Sequence, residues 1–261
     1  MIQKNPMFLT KFAVSPNEFH AAKRLRYQIF VKELGGGGAL VDHENELECD
    51  EYDPFFDHLL LYDQAREVDA ASKLVGVYRI LSSDKASELG RYYSEGEYDL
   101  SALKKSGRKL LELGRSCLHP DYRGGSAMYH LWKALSQYVI EQRIELLFGV
   151  ASFHGTDPEI LQEPLSLLHH NHLAPEELRV VAKPPHYQKM NLIEAREINR
   201  KRAMIAVPAL IKAYLRLGGV VGEGAYVDHA FNTTDVCLIL DTKRLSERQK
   251  QIYAQEGGNR S

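Results

Sequence analysis

The chain has 261 residues, enough for one large domain or two small ones with a substantial buried core. Its formal net charge of −2 gives no argument for nucleic acid as a partner, and no apolar run approaches the roughly 18 residues needed to span a bilayer. The start, Met1-Ile-Gln-Lys-Asn-Pro6, lacks the apolar core of a signal peptide, so cytoplasmic residence is the expectation; Cys49, Cys117 and Cys237 show neither metal nor disulfide spacing and are expected as reduced, mostly buried thiols.

Met7 to Val14 predicts a strand. Pro16 then opens a helical pattern running to Leu34, in which Phe19, Ala22, Leu25, Ile29 and Phe30 share one side. Gly35 to Gly38 stops it and leads into an acidic segment, Asp42 to Asp53, read either as a mobile flap beside a ligand or as a long surface loop. His58 to Tyr62 and Leu74 to Leu81 predict paired strands. Lys109 to Leu118 and Glu145 to Ser152 predict two more, around a helix from Met128 to Gln142. From His154 to Arg202 prolines break a polar stretch, which predicts helical turns forming an insertion over the sheet rather than a separate domain. Pro208 to Leu217 predicts a helix stopped by Gly218 and Gly219, with closing strands near Val220 to Asp228 and Asp235 to Leu240. The tail from 241 to 261 is expected to be flexible. Together these patterns predict an α/β fold, a central mixed, twisted sheet flanked by helices, organised as a single domain over 1–261.

Chemistry concentrates around one strand and the turn after it. Glu112 and Arg115 lie on the predicted strand, which runs through His119, Pro120 and Tyr122 into Arg123-Gly124-Gly125-Ser126 and then the helix. A glycine turn feeding a helix N-terminus aims backbone N–H groups at an anion, and a phosphate on a carrier arm is the expected one. At a spacing of three on a strand, Glu112 and Arg115 face opposite sides unless a bulge intervenes, for which Gly114 is the candidate. Arg79 sits inside the apolar run Leu74 to Leu81, where an isolated charge is costly and a carboxylate partner is required. Asp50, Asp53 and Asp57 are the candidates, either as partners of the arginine or as sites for a substrate's cationic amines, with Asp57 and His58 ranked below the other two.

The order Glu-x-x-Arg, His-Pro-x-Tyr-Arg-Gly-Gly, then helix resembles the acyl-donor strand and loop of the GNAT superfamily of N-acyltransferases. Upstream, Arg26-Tyr-Gln-Ile-Phe30 and Asp50-Glu-Tyr-Asp53 are similar to two motifs of its acyl-homoserine-lactone synthase branch. Pro208 to Gly218, Val221 to Asp228 and Phe231 to Val236 resemble the bacterial L-ornithine Nα-acyltransferases, so that the likeness runs from about Lys11 to Leu240. The resemblance implies a GNAT fold and transfer of a 3-hydroxyacyl chain from acyl carrier protein to the α-amine of L-ornithine. The product would be lyso-ornithine lipid, the first step of ornithine lipid biosynthesis. No tightly bound cofactor is implied, the donor being the 4′-phosphopantetheine arm of the carrier protein. Glu112 is then the base or an ion-pair partner that orders the pocket, with Arg115 beside it in the catalytic set. Arg26, Phe30, Asp50, Asp53 and Arg79 are implied on the substrate side, and Tyr226, Asp228 and Asp235 around the amino acid. Arg123, Gly124, Gly125 and Ser126 would cradle the phosphate. Asp121 and Ser126 depart from the Gln/Arg and Gly/Ala of acyl-CoA enzymes, which fits a donor with a single phosphate and leaves the use of CoA thioesters open. Elementary chemistry agrees with the α-amine as nucleophile, since it titrates at about 7.7–8.0 against about 10.4 for a lysine-like side-chain amine.

Other constellations compete. Cys117 and His119 raise an acyl-cysteine route, against which a packed thiol is the expectation. His169, His170 and His172 lack a completing carboxylate or cysteine, so a solvated helix end is expected there rather than a metal site. Lys183 to Arg202 interleaves cations with Tyr187, Met190, Leu192, Ile193 and Ile198, a pattern suited to an acidic carrier protein, to anionic headgroups or simply to a solvated helix face, which leaves peripheral contact with the inner membrane open. The rival functions are an acyl-homoserine-lactone synthase using S-adenosylmethionine and a noncatalytic carrier-protein or lipid-binding module. Against the first, the tryptophan that usually follows that branch's Arg-x-x-x-Phe motif is absent, the single tryptophan being Trp132.

Overall fold

The computed structural model describes residues 5–244, so the tail expected to be flexible lies outside the described residues from 245 onward. In chain order, β1 (Phe8–Phe12) leads to α1 (Pro16–Arg26), where Ser15 and Glu18 cap each other's backbone N–H. The helix then widens into a π-helix over Tyr27–Glu33, a departure from the single helix expected to Leu34. β2 (Asp57–Asp63) and β3 (Leu74–Ser82) follow, then α2 (Ser83–Leu89), a 3-10 turn at Tyr93–Gly96, β4 (Tyr98–Asp99) and α3 (Ser101–Lys105). β5 (Leu110–Leu118), α4 (Ala127–Glu141), β6 (Leu146–His154) and α5 (Pro158–His172) come next. The chain continues through β7 (Val181–Ala182), β8 (Tyr187–Gln188), α6 (Arg200–Ala206) and α7 (Ala209–Arg216), and closes with β9 (Val220–Val221), β10 (Ala225–Asp228) and β11 (Thr233–Asp241).

These elements form two compact units interleaved in sequence, one from residues 5–81 and 113–143, the other from 82–112 and 144–244. Leu110–Glu112 of β5 belong to the second and the rest of that strand to the first.

In the first unit β1 pairs antiparallel with β2 and β2 with β3, and β5 lies next to β3. α1 covers one face because Ala21, Ala22, Leu25 and the following Ile29 fall on one side and bury against Leu60, Tyr62, Leu74 and Val77. Each such leucine or isoleucine contributes about 1.5–3 kcal/mol on full burial. The two-residue period sends Leu61 to the opposite face, which α4 covers. Gly76 makes that approach possible: a Cβ there would stand 2.7 Å from Leu118 Cδ2 and 3.0 Å from Leu131 Cδ1.

The second unit is built on β6 and β11, antiparallel from Leu146 opposite Asp241 to His154 opposite Thr233. Leu110–Glu112 run parallel to Leu146–Phe148, so the sheet is mixed. β9 and β10 pair with β11, and β8 with β10. The stretch expected as a helical insertion therefore also supplies strands, because β7 pairs with β4 and β8 joins the sheet. Leu161, Leu165 and Leu168 bury one side of α5. Beside them the wholly buried Ser166 donates to Met190 O at 3.0 Å and accepts from the N–H groups of Leu192 and Ile193 at 3.0 and 3.2 Å.

Candidate active site

In the first unit the lone charge of the apolar strand β3 finds its partners. Arg79 Nη1 donates to Asp53 Oδ1 at 2.8 Å and to Asp50 Oδ1 at 2.7 Å, and its guanidinium lies 4.4 Å from the Phe56 ring centroid. Arg26, fully buried at the end of α1, donates from Nη1 to Asp53 at 2.5 Å and from Nη2 to the Glu48 carbonyl at 3.0 Å, and it also engages the Glu48 carboxylate. Arg115 Nε donates to Glu48 Oε1 at 3.0 Å, with Nη2 3.6 Å from Asp50 Oδ2 and the guanidinium 6.0 Å from the Phe30 ring centroid on the π-helix. Three guanidiniums thus interleave with three carboxylates. Glu48, which no sequence pattern singled out, bridges Arg26 and Arg115.

The acidic segment is folded inward at this point, with Glu48 and Asp53 buried. Burial by itself would raise both carboxyls, but the guanidiniums of Arg26 and Arg79 outweigh it at Asp53, and those of Arg115, Arg26 and Arg79 at Glu48, so both are held below the usual carboxylate range. Asp50 is lowered in the same way by Arg79 and Arg115 against its burial. His58 moves in the opposite sense. It is wholly buried with Nε2 3.5 Å from Asp53 Oδ1, and burial followed by the charge of Arg26 pushes it down to about 3, which leaves the ring neutral.

The backbone leaves extended geometry within β5 beside Gly114, the candidate for a bulge. Arg115 itself takes a left-handed backbone, φ +49°, while Gly114 does not. A side chain in that region costs about 1 kcal/mol or more, and here Glu48 fixes the guanidinium of the strained residue.

After Leu118 one 3-10 turn, Pro120–Tyr122, is tied down by the Tyr122 hydroxyl donating to Asp63 Oδ2 at 2.7 Å. Gly124, φ +75°, then turns the chain toward α4, a conformation glycine adopts without penalty. Gly125 follows, and Ser126 stands at the N-cap position without a side-chain cap bond, so it does not take up the first-turn N–H groups of α4. Arg123 donates from Nε to Leu118 O at 3.2 Å and from Nη1 and Nη2 to the two carboxylate oxygens of Glu33 at 2.5 and 2.8 Å.

In the second unit Glu112 is buried, and both of its oxygens accept backbone N–H groups, Oε2 from Tyr93 at 2.8 Å and Oε1 from Ser94 at 2.6 Å. These donors come from a stretch, 83–108, in which no periodicity predicted an element. Charge-assisted bonds of this kind fix the carboxylate's orientation. Tyr226 and the buried Asp235 face each other across β10 and β11. The Tyr98 hydroxyl donates to the carbonyls of Asp235 and Gly224 at 2.8 and 3.0 Å. Burial and the charges of Glu97, Asp228 and Asp235 raise the Tyr226 phenol, which marks acidic surroundings. Asp228 serves a turn, its Oδ1 accepting from the N–H groups of Ala230 and Phe231 at 2.8 and 3.1 Å.

Elsewhere, burial pushes the Cys117 thiol up to about 12, which disfavours the thiolate an acyl-cysteine route needs. Among the described residues no group of three or more His, Cys, Asp or Glu could hold a metal, and no helix is long and apolar enough to cross a membrane. His170 Nε2 lies 3.1 Å from Ile193 O, and Arg202 forms a two-pronged pair with Glu163.

The family model of the acetyltransferase (GNAT) domain matches residues 25–133. An L-ornithine N(alpha)-acyltransferase of Rhodobacter capsulatus is 56% identical over 243 residues, covering 93% of each chain. Another, of Brucella abortus, is 40% identical over 94% of this chain and 88% of its own. Among solved structures, FeeM, an N-acyl amino acid synthase from uncultured soil microbes, matches with a TM-score of 0.52 at 15% identity over 94% of this chain and 98% of its own. The AHL synthase LasI matches with a TM-score of 0.50 at 15% identity over 98% and 99%, a likeness of fold alone. With a GNAT-type mixed sheet, a strand and loop in the order of the superfamily's donor motif, and relatives this similar along nearly its whole length, the chain belongs to the L-ornithine N(alpha)-acyltransferases.

Proposed function

We propose that this protein transfers a 3-hydroxyacyl chain from acyl carrier protein to the α-amine of L-ornithine and so makes lyso-ornithine lipid. The relatives' names supply the acceptor, and the observation that carries the chemistry is Glu112, a buried carboxylate with both oxygens oriented by backbone N–H groups. In this reading Glu112 takes the proton of the α-ammonium directly or through a water. The amine nitrogen attacks the thioester carbonyl, the C–N bond forms, the C–S bond breaks, and the phosphopantetheine thiol leaves with a proton. Arg115, in its strained backbone, completes the catalytic set. Arg26, Phe30, Asp50, Asp53 and Arg79 form a rigid charged framework on the substrate side, and preorganisation of that kind spares reorganisation during reaction. Tyr226 and Asp235 shape the amino-acid pocket, whose acidic surroundings suit ornithine's δ-ammonium, and Asp228 holds the adjoining turn. Arg123, Gly124, Gly125 and Ser126 receive the phosphate of the 4′-phosphopantetheine arm, with no tightly bound cofactor. An amphipathic product favours peripheral contact with the inner membrane during release.

The test is mass spectrometry of products from purified protein given 3-hydroxyacyl carrier protein with ornithine, lysine and S-adenosylmethionine in competition. Mono-N-acylated ornithine is expected. A lactone would move the protein to the signal synthases, and no product at all would favour a binding module. Glu112→Gln should lower kcat by about 10²–10⁴-fold while holo carrier protein still binds.

A further inference from the structure

We infer that Glu33 is a resident counter-anion of the donor-phosphate arginine, Arg123, and that it sets the affinity for phosphate-bearing donors by competing for the same guanidinium edge. The inference rests on the phosphate-loop reading above.

The geometry leaves Arg123 one edge to offer. Its Nε is committed to Leu118 O at 3.2 Å, which fixes the plane of the guanidinium from behind. The remaining edge, Nη1 and Nη2, is a fork suited to two oxygens of one anion, carboxylate or phosphate. Glu33 fills that fork, one oxygen on each nitrogen at 2.5 and 2.8 Å. A phosphate arriving at the loop meets an arginine whose charge is already neutralised and must displace a carboxylate to use it.

The pair is built to exchange. Arg123 and Glu33 side chains are 42% and 35% exposed, so the interaction is screened and weak, unlike the sealed network around Asp53. Among the described residues no other cation pairs with Glu33. Its backbone ends the π-helix just before Gly35, φ +72°, and the glycine run, so the side chain can withdraw without disturbing α1. Once the holo carrier leaves, Glu33 recaptures the arginine, which favours product release as much as it opposes donor binding.

The experiment measures KM for 3-hydroxyacyl carrier protein and Kd for holo carrier protein in Glu33→Gln, Arg123→Ala and the double variant, with melting curves to confirm folding. Glu33→Gln should lower both constants by roughly two- to fivefold, the size of an exposed ion pair, and act on KM rather than kcat. Arg123→Ala should raise both, and the double variant should match Arg123→Ala. If Arg123→Ala raises KM but Glu33→Gln leaves it unchanged, or if Glu33→Gln still lowers it without the arginine, the counter-anion role is wrong and the loop reading stands. If Arg123→Ala changes neither constant, the loop reading itself fails and takes the inference with it. Should Arg123→Ala not fold, Arg123→Lys replaces it, since a lysine keeps the charge but cannot grip phosphate with two prongs and is also expected to raise both constants.

Discussion

A neutral imidazole 3.5 Å from an ionised carboxylate couples the stability of this protein to pH. In the unfolded chain His58 titrates near 6.5, and in the folded chain near 3. Between those values the unfolded state holds a proton that the folded state refuses, so its contribution is fully present above about pH 6.5 and is lost as pH falls, at up to about 1.4 kcal/mol per unit. Asp50, Asp53 and Glu48 are lowered in the fold, so they add to the loss only from the ordinary carboxylate range downward. Urea midpoints should therefore fall between pH 7 and 4.5, and His58→Gln should flatten that part of the profile; equal slopes in the two proteins would refute the assignment. The same network predicts that Arg26→Met, which strands Glu48 and Asp53 without their shared partner, costs about 3–5 kcal/mol in urea unfolding.

Within β5 backbone geometry and chemistry can be separated by mutation. Arg115→Gly removes both the guanidinium and the left-handed penalty, whereas Arg115→Ala removes only the first. The glycine variant should be the more stable of the two by about 1 kcal/mol, with turnover lost in both. On the neighbouring strand, Gly76→Ala pushes a methyl into Leu118 and Leu131 and should cost about 1–3 kcal/mol, read as a lower melting temperature.

The helix α4 was legible because a repeated apolar side betrays its period, and β3 and β11 because each is a continuous apolar run of strand length. The stretch 83–108 was not, since its pieces run from two to seven residues, too short to show one. That stretch supplies the N–H donors of Glu112, so half of that residue's setting was invisible in sequence. Arg79 announced its need for partners by standing alone in an apolar strand. Glu48, one acid in an acidic loop, gave no comparable signal, and its inward turn depends on the buried arginines that fold around it.

For the molecule as a whole, the three thiols offer a simple test of chemistry and packing together. Cys117 and Cys237 are buried with their thiols raised, and Cys49 is partly exposed. Iodoacetamide on native protein should modify Cys49 first, and Cys117→Ser should keep its turnover; loss of activity with an intact melting curve would revive the acyl-cysteine route. The likeness to ornithine acyltransferases was readable in the C-terminal third, while the influence of Glu97 on Tyr226, residues far apart in sequence, was not.

Ser166 carries a consequence of a different kind. Its one oxygen meets three backbone groups of the chain at Met190, Leu192 and Ile193, in a span without helix or strand of its own. Remove that oxygen with Ser166→Ala, and three backbone groups each lose a bond at once, the Leu192 N–H and Met190 O keeping only the 2.9 Å bond they make with each other. Cleavage by a dilute protease should then begin in this span, well before the sheet gives way.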